Sequence, residues 1–193
     1  MPNEADFGSL FQQVLDLYYQ GRYHDALEIA GTAARRFPER DVDTSFWTSC
    51  LLCRTGEVDQ ALDALAAGVQ HGLWWAPDAL GGEQDLDPLH DSPRFQAIVA
   101  QCLDRQRAAQ AAARPELLNF PPAHVDHTTP LLLALHGRGG NAGDFAGRWM
   151  PAVAAGSLLA LPQSSQVLGM GAFCWDDRDL AEREIALAYA QLQ

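Results

Sequence analysis

Up to about residue 112 the apolar positions recur at helical spacing, and beyond it they gather into short unbroken runs. Phe95, Ile98, Val99 and Cys102 form an i, i+3, i+4, i+7 stripe, which predicts an amphipathic helix. Ser92 stands before it as an N-cap, and Pro93 takes the first helical position, where a missing N–H does no harm. Arg105 to Ala113 continues as an Ala/Gln/Arg-rich helix, and Pro115 marks its end. Leu131–Leu135 is a continuous apolar run, predicting a strand covered on both faces. Ser157–Pro162 reads as a second short strand, and Glu116–Phe120 as an edge strand. Asn141 is placed to cap a helix carrying Phe145, Trp149 and Met150. Residues 163–172 read as loop, and a last helix runs from about Leu180 to Gln193. Strand, helix, strand, helix is the cadence of a parallel α/β sheet, so a boundary is expected between residues 1–112 and 113–193.

The first part also repeats itself. Gly21-Arg22-Tyr23-His24-Asp25-Ala26-Leu27 returns as Gly56-Glu57-Val58-Asp59-Gln60-Ala61-Leu62, 35 residues later. Each glycine falls where a tight turn joins two helices, and each alanine lets the second helix approach the first. Pro38 stops the second helix of the first unit. These residues resemble the tetratricopeptide repeat, with units at about 7–40 and 43–74. Val58 departs from the aromatic at Tyr23, and the first-helix Trp-x-x-Leu-Gly signature is degraded in both units. Asp85-Leu86-Asp87-Pro88-Leu89, followed by Pro93-Arg94-Phe95-Gln96, resembles the closing element of such arrays, whose last helix caps the stack.

Composition narrows the partners. With 48% apolar and 20% charged residues the chain is that of a folded protein, and a net charge of −12 argues against nucleic acid or anionic membrane. Residues 1–112 hold 17 acids against 8 arginines, and residues 113–193 hold 8 against 5. There is no lysine, a bias of the kind GC-rich bacterial genomes impose. The N-terminus lacks the pattern of a signal peptide and no run is long enough to span a membrane, so the cytoplasm is expected. Cys50 and Cys53 form a C-x-x-C inside a helical pattern and read as packed thiols. No metal or cofactor is expected. Neither His124 and His127 nor the cluster Asp85, Asp87, His90 and Asp91 has a recognisable ligand spacing, the latter lacking a Gly-containing 12-residue calcium loop.

The chemistry gathers at His136-Gly137-Arg138-Gly139-Gly140-Asn141, directly after the apolar strand. Glycines there let bare backbone N–H groups approach a ligand, and a helix start adds the favourable end of its dipole. Such a turn can bind phosphate, and Gly137 to Gly143 nearly accommodates a dinucleotide fingerprint. Together with Pro162-Gln163-Ser164-Ser165-Gln166 and Trp175-Asp176, however, it resembles the N-terminal half of an α/β-hydrolase of the carboxylesterase/phospholipase or dienelactone-hydrolase kind. That resemblance implies that the Arg138 N–H serves the oxyanion hole and that Gly137, Gly139 and Gly140 shape the loop. It implies further that Gln163, Ser164 and Trp175 line the substrate entrance, while His136 is structural.

None of Ser9, Ser45, Ser49, Ser92, Ser157, Ser164 and Ser165 sits in a Gly-x-Ser-x-Gly turn. The expected fold is therefore all-α helical-hairpin repeats followed by a partial α/β domain, an incomplete α/β-hydrolase that ends before its nucleophile strand. The expected function is that of the N-terminal portion of a repeat-fused serine hydrolase acting on a small carboxylic ester, inactive by itself. The alternative is a protein-interaction module of tetratricopeptide type with a vestigial α/β segment. In either case the repeats are available to dock a peptide or the hydrolase part itself.

Overall fold

In the computed structural model residues 4–192 are described. Met1–Asn3, within the N-terminal segment read above for a signal pattern, and Gln193, the expected last helical residue, lie outside them. The chain divides into two compact units, Met1–Arg105 and Gln106–Gln193. That division falls inside a helix, seven residues before the boundary drawn from sequence, because the final residues of that helix belong to the second unit.

The first unit is helical. Helices α1 (Glu4–Tyr19) and α2 (Tyr23–Arg36) form one pair, and α3 (Asp41–Thr55) and α4 (Val58–Gln70) the next. Gly21 and Gly56 take φ of +71° and +87°, which side chains with a Cβ rarely adopt. At both turns the same two bonds close the preceding helix: Gly21 N–H to Tyr18 O with Arg22 N–H to Leu17 O, and Gly56 N–H to Cys53 O with Glu57 N–H to Leu52 O. Ala26 and Ala61 are completely buried, as the close approach of the paired helices requires. Phe7, Leu10, Ala33 and Phe37 form one part of the core, and Val14, Ala26, Ala30 and Leu51 another, with Trp47 packed against both.

The short α5 (Pro77–Gly82) and a 3-10 stretch (Gln84–Leu89) lead to α6 (Pro93–Ala112), which buries Phe95, Ile98 and Cys102. Arg105 on α6 donates to the carbonyls of Val69 and Leu73 at 2.8 and 2.6 Å, satisfying acceptors at the end of α4. Trp75 donates from its indole to Val42 O and covers Gly68 so closely that a Cβ there would lie 2.7 Å from the ring. All four cysteines are free and buried. Burial pushes Cys50 up well beyond the ordinary thiol range and Cys53 up to about 11, so both stay protonated, packed thiols.

The second unit is built on a three-stranded sheet of order β1-β3-β2, with β1 (Glu116–Phe120), β2 (Leu131–Leu133) and β3 (Leu158–Gln163). β2 runs parallel to β3 through α7 (Ala142–Ala154), and β1 lies antiparallel on the other side, making β3 the central strand. Ala134, Ala142, Ala146, Leu159 and Leu161 form the core beneath it. Two expectations need correction. The apolar run at 131–135 is not covered on both faces. β2 is an edge strand of three residues, and Leu131 and Leu135 are 41% and 39% exposed, because they share one face while Leu132 and Ala134 on the opposite face pack into the core with Ala142 and Ala146 of α7. Residues 163–172 are not all loop either. β4 (Gln166–Gly169) and β5 (Ala172–Cys174) form a hairpin with a bulge, before α8 (Arg178–Ala190). No helix among the described residues is long and apolar enough to cross a membrane.

Candidate functional site

The turn 136–141 connects the end of β2 to α7, and each of its polar groups can be followed. Gly139 has φ +83°, and its N–H donates to Phe173 O at 2.8 Å while Phe173 N–H returns a bond to Gly140 O at 3.0 Å. This small bridge ties the turn to β5. Gly140 N–H closes back on Gly137 O, and a Cβ at Gly140 would press on that carbonyl at 3.3 Å. Asn141 caps α7 as expected, accepting from Asp144 N–H at 2.8 Å, and its amide donates to Gly171 O in the hairpin turn. Gln163 Oε1 takes the Ala142 N–H at 2.8 Å.

Three amides of the turn, those of Gly137, Arg138 and Asn141, have no hydrogen-bond partner among the described residues. The first two lie on exposed residues. The turn therefore presents unengaged donors at 137–138, while two amides at the start of α7, those of Ala142 and Asp144, are taken by Gln163 and Asn141. A phosphate or dinucleotide needs several amides of the helix start at once. With the Ala142 and Asp144 amides taken, fewer remain for the anion alternatives left open by sequence.

His136 is 3% exposed, with its ring buried within the unit. Ser164 N–H donates to its Nε2 at 3.4 Å, which leaves Nδ1 as the protonated nitrogen, donating to Gly137 O at 3.0 Å. Trp175 stacks obliquely on the ring, centroids 5.1 Å apart, and donates to His136 O at 3.1 Å. The structure thus brings His136, Gln163, Ser164 and Trp175 together around the turn. Their polar atoms point inward: Ser164 is fully buried with Oγ accepting from Gln166 N–H, and the Gln163 amide bonds to Ala142 N–H and Ser164 O. Arg138 reaches Asp176 with an exposed ion pair of 3.1 Å.

Sequence reasoning missed several supports. Glu184 on α8 is 4% exposed and accepts both the N–H and the hydroxyl of Ser165, fixing the corner between β3 and β4. Gln110 bonds to Ser165 O and Val167 N–H, and Gln106 to the carbonyls of Val167 and Leu168, so α6 supplies side-chain amides where β4 has no strand. An i, i+4 glutamine pair at 106 and 110 was the only local signal available. Among the described residues no group of three or more His, Cys, Asp or Glu could hold a metal ion.

Residues 6–110 match the family model described as "A/B hydrolase-like, N-terminal domain". The chain belongs to this family. The match covers the helical unit that carries the repeated Gly-x-x-x-x-Ala-Leu pattern, and the His-Gly-x-Gly-Gly turn follows it in the chain. The crystal structure of an uncharacterized protein from Bacillus cereus is similar, with a TM-score of 0.50 and 24% identity over 95% of this chain. That likeness shows the fold alone. The chain spans 59% of that protein's chain. No curated protein sequence matches the chain.

Proposed function

We propose that this chain is the N-terminal portion of a serine hydrolase acting on carboxylic esters, in which tetratricopeptide-like hairpins precede an α/β domain. The Arg138 N–H is its oxyanion donor. One observation carries the reading: the amides of Gly139 and Gly140 are committed to Phe173 O and Gly137 O, while those of Gly137 and Arg138, on exposed residues, are unengaged among the described residues. A donor fixed in this way needs no reorganisation when charge develops on the ester oxygen. Gln163, Ser164 and Trp175 then act by holding the turn and His136 in place rather than by touching the substrate. The nucleophile is supplied by residues beyond Gln193, since no serine here occupies a nucleophile turn.

The test has two arms. In the polypeptide extended past residue 193 by its own reading frame, turnover of p-nitrophenyl acetate is measured for Arg138→Pro, which deletes the N–H, and Arg138→Ala, which keeps it. Arg138→Pro should lower kcat by about 10² to 10³, and Arg138→Ala by no more than a few-fold. Equal kcat for wild type and a folded Arg138→Pro protein would overturn the assignment. The 193-residue chain itself should show no burst with the ester, and stoichiometric acylation of one of its serines would place the nucleophile here instead.

A second reading, the interaction module, is favoured by an aromatic cleft of about 370 Å³ in the helical unit.

A further inference from the structure

The cleft is lined by residues of α1, α3 and the segment 83–85. Its walls carry five aromatic rings, Phe11, Tyr18, Tyr19, Phe46 and Trp47, and its polar end carries Glu83 and Asp85. None of its lining residues is basic, although Arg54 lies 3.7 Å from Asp85 Oδ1. Both carboxylates are held in place from one side. Asp85, 8% exposed, accepts the Tyr18 hydroxyl on Oδ1 at 2.9 Å, and Glu83 Oε1 accepts the Asp85 N–H at 3.2 Å. The second oxygen of each has no hydrogen-bond partner among the described residues.

The protein already shows what these groups accept. Arg54 lies with its guanidinium 4.8 Å from the Tyr23 ring centre and 5.9 Å from that of Tyr18, and 3.7 Å from Asp85. Rings and a carboxylate together stabilise a planar cation, the rings through their negative faces. The Tyr18 hydroxyl is pushed up to about 12 by burial and by Asp85, so it stays a donor to that side chain.

Shape sets the size of the occupant. Phe11, Leu15 and Tyr19 recur every four residues along one face of α1, a stripe about 12 Å long at 1.5 Å per residue. That is the span of three to four extended residues and exceeds a single small cation. Tyr19, 80% exposed, and Phe11, 38% exposed, stand at the rim, where large rings anchor partners better than they stabilise a monomer.

We propose that this cleft is a docking site for an extended basic peptide segment, with an Arg or Lys side chain directed to Glu83 and Asp85 and its apolar neighbours laid against Phe11, Tyr19 and Trp47. This rests on the interaction-module reading of the helical unit and is independent of the hydrolase assignment. The excess of 17 acids over 8 arginines in residues 1–112 favours such a partner at longer range.

The experiment is fluorescence polarisation of the full chain with a fluorescein-tagged hexapeptide of alternating leucine and arginine, its glutamate counterpart and its glutamine counterpart. The arginine peptide should bind in the micromolar range and weaken about threefold from 50 to 300 mM salt. Glu83→Gln should weaken it about tenfold and Tyr19→Ala about fivefold, while Tyr189→Ala, in the other unit, should change nothing. Tyr19 and Glu83 are not core residues, and circular dichroism of each variant should match wild type. Tighter binding of the glutamate or glutamine peptide, still lost in Tyr19→Ala, would overturn the preference for cations and keep the interaction module. Arginine-peptide binding indifferent to both variants would place it elsewhere, and phenyltrimethylammonium displacing it at equal affinity would make the cleft a small-cation site. Binding of none of the three peptides would overturn both readings.

Discussion

Replacing His136 with phenylalanine tests whether the ring holds the candidate oxyanion turn. The substitution keeps an aromatic ring beside Trp175 but removes both nitrogens. Ser164 is fully buried, and among the described residues its N–H has His136 Nε2 as its one partner. Leaving a buried donor unsatisfied costs about 1–3 kcal/mol. Loss of the Nδ1–H bond costs about 1 kcal/mol at most, since Gly137 O keeps the Gly140 N–H. Allowing for the long 3.4 Å contact, the net effect should be about 2 kcal/mol on the local stability of the turn. The readout is amide hydrogen exchange at Gly139, whose N–H is bonded to Phe173 O. Protection there should fall about thirtyfold, because each 1.4 kcal/mol is tenfold. Trp175→Phe, which loses only the indole bond to His136 O, should lower it about fivefold. A folded His136→Phe protein whose Gly139 exchange changes less than twofold would refute the buttress, and with it the positional argument for Arg138.

Three further outcomes are expected. Gly68→Ala should lower the melting temperature, by a loss of about 1–3 kcal/mol from overpacking against Trp75, whereas Gly8→Ala in α1, with open space around it, should raise stability by about 0.5–1 kcal/mol; thermal melts of the two compare them directly. Native protein at pH 8 should react with a disulfide reagent at none of its four thiols within minutes and at all four after unfolding, and a rapidly titrating thiol would contradict the burial that pushes them all up. Absorbance titration should find one tyrosine ionising at about pH 12. Because the folded value lies above the ordinary 10.0, the stabilisation is whole below pH 10 and lost as pH rises through 12, and Tyr18→Phe should remove that stretch of the alkaline stability loss.

Some of the molecule could be read locally. The 35-residue spacing of Gly21 and Gly56 carried over to two turns closed by identical hydrogen bonds, since a left-handed glycine and a buried alanine are demands of the helical hairpin itself. Asn141 caps α7, and Glu116–Phe120 is a strand, because both depend on a few adjacent residues. The hairpin at 166–174 escaped notice: its register is set by partners outside it, Gln106 and Gln110 on one edge and Gly139 and Gly140 on the other. Glu184, eight residues after the Trp175-Asp176 pair, carries no local signal, because its partner Ser165 lies 19 residues back in the chain.

The His136–Asn141 residues specified a turn that exposes backbone, because glycine's freedom and an asparagine cap act over a handful of bonds. Which amides stay open was a tertiary decision. Phe173 takes Gly139, Gln163 takes Ala142 and Ser164 orients His136, across 34, 21 and 28 residues of chain. Sequence periodicity likewise prescribed two helical hairpins, but the meeting of Phe11, Trp47, Glu83 and Asp85 in one cleft came from packing α1 against α3 and the segment that follows α5. Local dihedral preference and the spacing of apolar positions are written in residues that neighbour one another in the chain. Hydrogen-bond satisfaction and the shape of a cleft are settled only when distant segments compete for the same donors and the same space.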